Sequence, residues 1–144
     1  MKDEAIRVSI VIPARNEAPP LAALLPELRR RLPDAEIIVV NDGSTDETRA
    51  VAEASGVRVI SHPYPMGNGA AIKTGARAAK GETIVFMDGD GQHQAADIPR
   101  LLEKIDAGYD MAVGARTRGS HAGVHRAVAN DVFSRFASWM VMQQ

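Results

Sequence analysis

The chain contains no cysteine, so disulfides and thiolate metal sites are excluded and the redox compartment is left open. It has no run approaching the roughly 20 apolar residues of a membrane span. Residues 1–7 carry charge but no long apolar segment, so no signal peptide is visible. Nor is there an excess of either charge. Seventeen basic and 18 acidic residues give a formal net charge of −1, which offers no overall basic surface to nucleic acid. What is present is an ordinary globular composition, 45% hydrophobic and 24% charged over 144 residues, enough for one domain with a real core. The balance breaks only near the end. Arg116, Arg118, Arg126 and Arg135 with two histidines face a single acid, Asp131, which fits an anionic substrate, an anionic membrane surface or an ordinary charged helix face.

Apolar runs of strand length alternate with helix-like segments, the pattern of an α/β fold with a mostly parallel sheet flanked by helices. Strands are expected at residues 8–12, 37–41, 57–61, 83–87 and 111–115. Leu21, Leu24, Leu25, Leu28 and Leu32 fall on one face of a first helix; Pro26 should kink or shorten it, and Pro33 ends it. Ser44-Thr45-Asp46-Glu47 is a capping-box pattern that starts a second helix, stopped by Gly56. An alanine-rich helix over 70–80 can pack close to a sheet, and Ile98, Leu101, Leu102 and Ile105 make one face of a fourth. The spacing of Val128, Val132, Phe136 and Met140 extends a last helix to the end of the chain. With no repeat or linker, residues 1–144 read as one domain.

The strongest chemical signal is Met87-Asp88-Gly89-Asp90-Gly91-Gln92-His93, directly after the apolar run Thr83-Ile84-Val85-Phe86. Two carboxylates one residue apart thus leave the carboxyl end of a buried strand, where open α/β sheets bind ligands. Asp88, Asp90 and the amide oxygen of Gln92 form an oxygen-only set suited to a hard cation such as Mg²⁺ or Mn²⁺. Two more polar loops, Pro13-Ala14-Arg15-Asn16-Glu17 and Asn41-Asp42-Gly43-Ser44-Thr45-Asp46, follow the first two strands. The second of these, taken alone, reads equally as a turn leading into a helix cap. In a parallel sheet all three loops converge on one edge. His93 reads as a loop histidine that orders the site, and Lys73 and Arg77 as a solvated helix face.

Together these three motifs, with Met66-Gly67-Asn68-Gly69 and Gly114-Ala115-Arg116, resemble the family 2 glycosyltransferases. Within them the chain is most similar to the branch of dolichyl-phosphate mannosyltransferase and bacterial polyprenyl-phosphate glycosyltransferases. The resemblance runs from about Val8 onward. It implies a GT-A-type, Rossmann-like sheet, truncated at its C-terminus because family members continue into acceptor-binding elements. It implies that Pro13, Ala14, Asn16 and Glu17 hold the base and ribose of a nucleotide-diphosphate sugar, GDP-mannose or a UDP-sugar. Asp42 would hydrogen-bond the base, with Asn41 standing where a second acid is common. Asp88 would contact the nucleotide as well as the metal, and Asp88, Asp90 and Gln92 would hold Mg²⁺ or Mn²⁺ against the diphosphate. Asp90 and Arg116 would carry catalysis, and Arg116 and Arg126 would meet donor or acceptor phosphates. The implied acceptor is a polyprenyl phosphate, the implied place the cytoplasm or the cytoplasmic face of a membrane with peripheral association, and no nucleic acid partner is implied.

The same residues admit three rival readings. A haloacid dehalogenase-type phosphatase also places Asp-x-Asp-Gly after an apolar strand, with the first Asp as nucleophile. There the loop lies on the first strand and a Thr or Val follows, whereas here it lies on the fourth and Gln92 follows. A dinucleotide site at Gly67-Asn68-Gly69 lacks its third glycine. A nucleotide-sugar-binding fragment without turnover, lacking the acceptor half, is the third.

Overall fold

The computed structural model describes residues 6–114. In chain order these form β1 (Val8–Ala14), α1 (Ala18–Arg31), β2 (Glu36–Asn41), α2 (Thr48–Ala54), β3 (Arg58–Ser61), α3 (Asn68–Ala78), β4 (Thr83–Phe86), a 3₁₀ turn (Ala95–Asp97) and α4 (Ile98–Asp106). The strands pair in the order β3-β2-β1-β4, and every pairing is parallel. The chain divides into two compact units, Met1–Ala112 and Val113–Gln144, and the elements above belong to the first.

β1 explains the architecture. All seven of its residues are buried, so it needs cover on both faces and cannot lie at an edge. Ile10 and Ile12 join Leu21, Leu24, Leu25 and Leu28 of α1, Val39 of β2, Ala52 of α2 and Ile98 of α4 in one cluster. Val11 points the other way, into a cluster with Ile38, Val40 and Ala71 of α3. This alternation is the period of two that a strand imposes. Helices α1 and α2 therefore cover one face and α3 the other. That is the arrangement right-handed crossovers produce when the strand order reverses between β1 and β4. On the α3 side the alanine-rich helix does sit close: a Cβ on Gly75 would overlap Val11 Cγ1.

Several local expectations are corrected. Helix α1 runs through Pro26 to Arg31, so the proline does not shorten it, and it ends just ahead of Pro33 as expected. Pro26 and Ala22, whose carbonyl loses its partner to the missing N–H, are both exposed, so water can satisfy that carbonyl. Helix α2 begins at Thr48, later than the capping-box pattern suggested, and the Asp46 carboxylate rather than Ser44 accepts a backbone N–H of its first turn, from Thr48 at 2.9 Å. Helix α3 starts at Asn68, two residues early. Residues 111–114 of the expected fifth strand form no ladder, with Met111 and Val113 both 76% exposed, because no neighbouring strand pairs with them among the described residues. No described helix is long and apolar enough to cross a membrane.

Candidate functional site

The first two polar loops are tied together by hydrogen bonds. The Asn16 N–H donates to Ser44 Oγ at 3.0 Å, and Asn16 Oδ1 accepts from the Thr45 N–H at 2.8 Å. Asn16 has φ = 55°, the left-handed region that asparagine tolerates better than most residues. The Glu17 N–H donates to Thr48 Oγ1 at 2.8 Å, and that hydroxyl donates in turn to Asp46. Asp46 also accepts the Ala18 N–H at 3.2 Å, so the start of α1 is capped from the neighbouring loop. Thr48 is fully buried, so Thr48→Ala would leave the Glu17 N–H without its partner. Hydrogen bonds from Thr48, and from the backbone N–H groups of Thr48 and Ala18, outweigh partial desolvation and hold the Asp46 carboxyl below its usual range.

The third loop meets the first across the reversal point between β1 and β4. A Cβ on Gly89 would overlap Glu17 Oε2 and stand 3.3 Å from Ile12 Cγ2 and 3.4 Å from Leu21 Cδ2. Only glycine lets the Asp88–Asp90 backbone lie against that carboxylate. Glu17 Oε2 is buried and has no hydrogen-bond partner among the described residues. Burial first, then the nearby carboxylates Asp90, Asp88 and Asp46, push the Glu17 pKa up to about 7. Carboxylates from the loops after β1, β2 and β4 therefore gather at the carboxyl edge of the sheet, where strand order reverses and ligands bind in open α/β folds.

Asp88 and Asp90 are arranged by their own loop. The Asp88 N–H donates to His93 Nδ1 at 3.0 Å, and the Gln92 N–H donates to Asp90 Oδ1 at 2.9 Å. His93 thus accepts at Nδ1 and braces the loop. Asp90 and Gln92 are exposed and Asp88 is half-buried. Among the described residues no group of three or more His, Cys, Asp or Glu side chains is gathered closely enough to hold a metal. Asp88, Asp90 and the Gln92 amide carry oxygen donors of the kind a hard divalent ion takes, and Glu17 Oε2 lies beside Gly89, between the two aspartates in the chain.

Of the remaining expected residues, Pro13 and Ala14 are buried at the end of β1, and Ala14 C=O accepts the Asp42 N–H at 2.9 Å. Lys73 and Arg77 are exposed on α3. Arg116 and Arg126 lie outside the described residues. Asp42 is buried, and its carboxylate is held by three donors: His62 Nδ1 at 2.7 Å, the Met66 N–H at 2.8 Å and the Gly67 N–H at 2.8 Å. Burial pushes its pKa up, but the bonds from Met66, His62 and Gly67 outweigh that and keep it below the usual range. The other ring nitrogen, His62 Nε2, lies 2.9 Å from Thr74 Oγ1 on α3. Asn41 Nδ2 donates to Ser61 Oγ at 3.2 Å, so the residue in place of a second acid braces β2 against β3. His62 and Thr74 were not singled out from the sequence. The signal was available: His62 is the polar residue that leaves the end of β3, as Asp42 leaves β2.

Acidic and amide-bearing loops that follow β1, β2 and β4 thus lie at the carboxyl edge of a parallel sheet whose strand order reverses, the place where open α/β folds bind ligands. Glycosyl transferase family 2 matches residues 9–141, and the chain belongs to that family. It is 34% identical over 143 residues to undecaprenyl-phosphate 4-deoxy-4-formamido-L-arabinose transferase of Klebsiella pneumoniae, an alignment covering 90% of this chain and 42% of that one. It is 36% identical over 117 residues to dolichol-phosphate mannosyltransferase of Pyrococcus furiosus, covering 77% and 33%. Glucosyl-3-phosphoglycerate synthase of Mycobacterium tuberculosis, solved with Mn²⁺ and UDP-glucose, superposes with a TM-score of 0.62 at 30% identity, covering 71% of this chain and 40% of that one. This likeness bears out the GT-A-type fold. The chain spans about half the length of the curated relatives it matches.

Proposed function

We propose that this chain is the donor-binding part of a hexosyltransferase that moves a sugar from a nucleotide-diphosphate sugar, GDP-mannose or a UDP-sugar, to a polyprenyl phosphate. One observation carries the reading: the orphaned Glu17 carboxylate oxygen faces the Asp88–Asp90 loop across the β1/β4 reversal point. The names of the relatives, which transfer sugars to undecaprenyl or dolichol phosphate, support the acceptor class. Peripheral association with the cytoplasmic face of a membrane follows from such an acceptor.

Asp88, Asp90 and Gln92 would hold Mg²⁺ or Mn²⁺, which when bound supplies Lewis-acid stabilisation of charge on the leaving diphosphate. The chain's own groups do the rest. Asn16 and Glu17, fixed by Ser44, Thr45 and Thr48, bind the ribose end of the donor, and Asp42 meets the base. Arg116 contributes a permanently protonated donor to the phosphates, and Arg126 a second positive charge. A phosphate acceptor is already ionised near neutral pH, so no side chain has to remove its proton.

The test is thermal unfolding of the chain with UDP or GDP. At about 100 times the dissociation constant, ligand should stabilise by roughly 2.7 kcal/mol when Mg²⁺ or Mn²⁺ is present. An equal shift in excess EDTA would count against a metal-bridged diphosphate, and no shift under any condition would remove the donor site.

A further inference from the structure

Residues 54–81 contain no aspartate or glutamate, the longest such stretch in the chain. They form β3, the loop after it and α3. Ala71 and Gly75 bury the inner side of α3 against Val11 and Val40. Lys73 and Arg77, each two residues further on, therefore fall on its outer side, and Lys80 follows its end. All three are exposed and form no ion pair with a described residue, whereas Arg58 is balanced by Glu36 at 3.2 Å. The loop that leads into α3 is apolar where it meets solvent. Tyr64 is 62% exposed and Met66 50%, with Pro63 and Pro65 beside them. The same loop is braced from beneath. The N–H groups of Met66 and Gly67 each donate to Asp42 at 2.8 Å, and a Cβ on Gly43 would overlap Pro65.

An exposed ring and thioether on a braced loop, beside unbalanced cations, match a surface that is anionic outside and apolar beneath. Tyrosine settles at the headgroup level of a bilayer, and lysine and arginine are drawn to an anionic leaflet. Nucleic acid would engage the cations but would leave Met66 in water. We propose that Tyr64 and Met66, with Lys73, Arg77 and Lys80, form the surface by which this chain docks on an anionic lipid membrane. The proposal deepens the reading of a lipid-phosphate acceptor and rests on it for its purpose. The loop follows β3 in a parallel sheet, so it lies on the same carboxyl edge as the Asp42 and Asp88 loops. Docking there turns the donor site toward the lipid. Helix α3 does not insert, because its apolar residues are used against the sheet; it lies along the headgroups while the loop enters them.

The experiment is sedimentation of the full chain with vesicles of phosphatidylcholine and phosphatidylglycerol, without nucleotide, metal or polyprenyl phosphate. The chain should bind them, leave them as salt rises, and ignore vesicles of phosphatidylcholine alone. Lys73→Gln/Arg77→Gln/Lys80→Gln should weaken binding about a hundredfold, at about fivefold per cation. Arg30→Gln/Arg100→Gln/Lys104→Gln removes as much charge from α1 and α4 and should change binding little. Tyr64→Ser/Met66→Ser should weaken it by about tenfold. Because the chain has no cysteine, Tyr64→Cys can carry a single environment-sensitive dye. Its emission should shift to the blue on the anionic vesicles, and that of a dye at Arg100→Cys should not. Equal losses in the two triple variants would reduce the effect to net charge and overturn the surface. Unchanged binding in the Lys73 variant, or RNA bound while vesicles are ignored, would overturn it too. Any of these would leave the donor reading in place, since stabilisation by UDP or GDP with Mn²⁺ is measured without lipid. Absence of that stabilisation with vesicle binding intact would remove the donor site and keep the docking surface.

Discussion

Gly89 lies so close to Glu17 that a methyl group on its Cα would overlap the carboxylate oxygen Oε2. The loop after β4 and the turn after β1 therefore share one volume, and neither can be altered without the other. Gly89→Ala tests this. The atom struck first is the end of a side chain that can rotate, so the carboxylate should swing aside at a rotamer cost of about 0.5–1.5 kcal/mol. Divalent-ion-dependent nucleotide binding should fall further than stability does, because the two loops lose their common geometry. Urea denaturation of Gly89→Ala, Glu17→Ala and the double variant gives the coupling between the sites. Purely additive effects would mean that the two residues do not contact each other.

Gly75 makes the corresponding contact in the core. Its Cα faces Val11, and a Cβ there would overlap Val11 Cγ1 while standing 3.2 Å from Val40 Cγ2. On helix propensity alone, Gly75→Ala should stabilise by about 1 kcal/mol. Overpacking between α3 and β1 opposes this with about 1–3 kcal/mol, since both neighbours are β-branched side chains in the sheet and cannot swing away. Net destabilisation is the expected outcome, and adding Val11→Ala should recover part of it. A gain in melting temperature for Gly75→Ala alone would show that α3 can lift off the sheet at no cost.

Much of this was legible in the sequence, for physical reasons. Apolar runs marked the strands at residues 8–12, 37–41 and 83–86, but only the first two are buried: β4 ends the described strand order and is half-buried, with Phe86 48% exposed, against the buried strand expected there. Polar residues directly after such runs in a parallel sheet lie on one edge, which places Asn16, Glu17, Asp42, Asp88 and Asp90 in one region. Who bonds whom was not legible. Thr48 looks like any residue near a helix start, yet its hydroxyl joins two loops because it is buried between them. His62 and Thr74 lie 12 residues apart and meet only because α3 crosses back over the sheet. The expected strand at 111–115 shows the opposite failure over its described part: residues 111–114 pair with no strand among the described residues, and an apolar run becomes a strand only where a neighbour pairs with it.

The opposite edge of the sheet supplies a pH test free of ligand. Glu36, at the start of β2, accepts from Ser9 Oγ at 2.6 Å, the Lys80 N–H at 2.9 Å and Arg58 Nη1 at 3.2 Å. Burial works to raise its pKa, but these bonds outweigh it and lower the pKa from 4.5. A lowered carboxyl pKa stabilises the fold above the unfolded value, and that contribution is lost as pH falls through the folded one. Glu36→Gln should therefore be less stable than wild type at pH 7, with the gap closing below about pH 4.5. Urea midpoints at pH 7, 5 and 3.5 measure it. A gap independent of pH would show that the ionised form is not what Ser9 and Arg58 hold.

Asp90 offers the sharpest test of the metal loop because the fold asks little of it. Its side chain is exposed, and Oδ1 accepts the Gln92 N–H at 2.9 Å, which an asparagine oxygen can also do. Asp90→Asn should therefore leave the melting temperature of the free chain within about 0.5 kcal/mol of wild type. With nucleoside diphosphate and Mn²⁺ present, the stabilisation seen in wild type should largely disappear, because one negative charge has left the cation's set of ligands. Where sugar transfer is measurable, it should fall by about 10²–10³-fold, the scale of losing one preorganised charge-stabilising group. A phosphatase of the haloacid dehalogenase type would instead use Asp88 as a nucleophile and form an aspartyl phosphate there. Trapping such an adduct at Asp88, or finding full Mn²⁺-dependent nucleotide binding in Asp90→Asn, would show that these carboxylates do not serve a metal-bridged diphosphate.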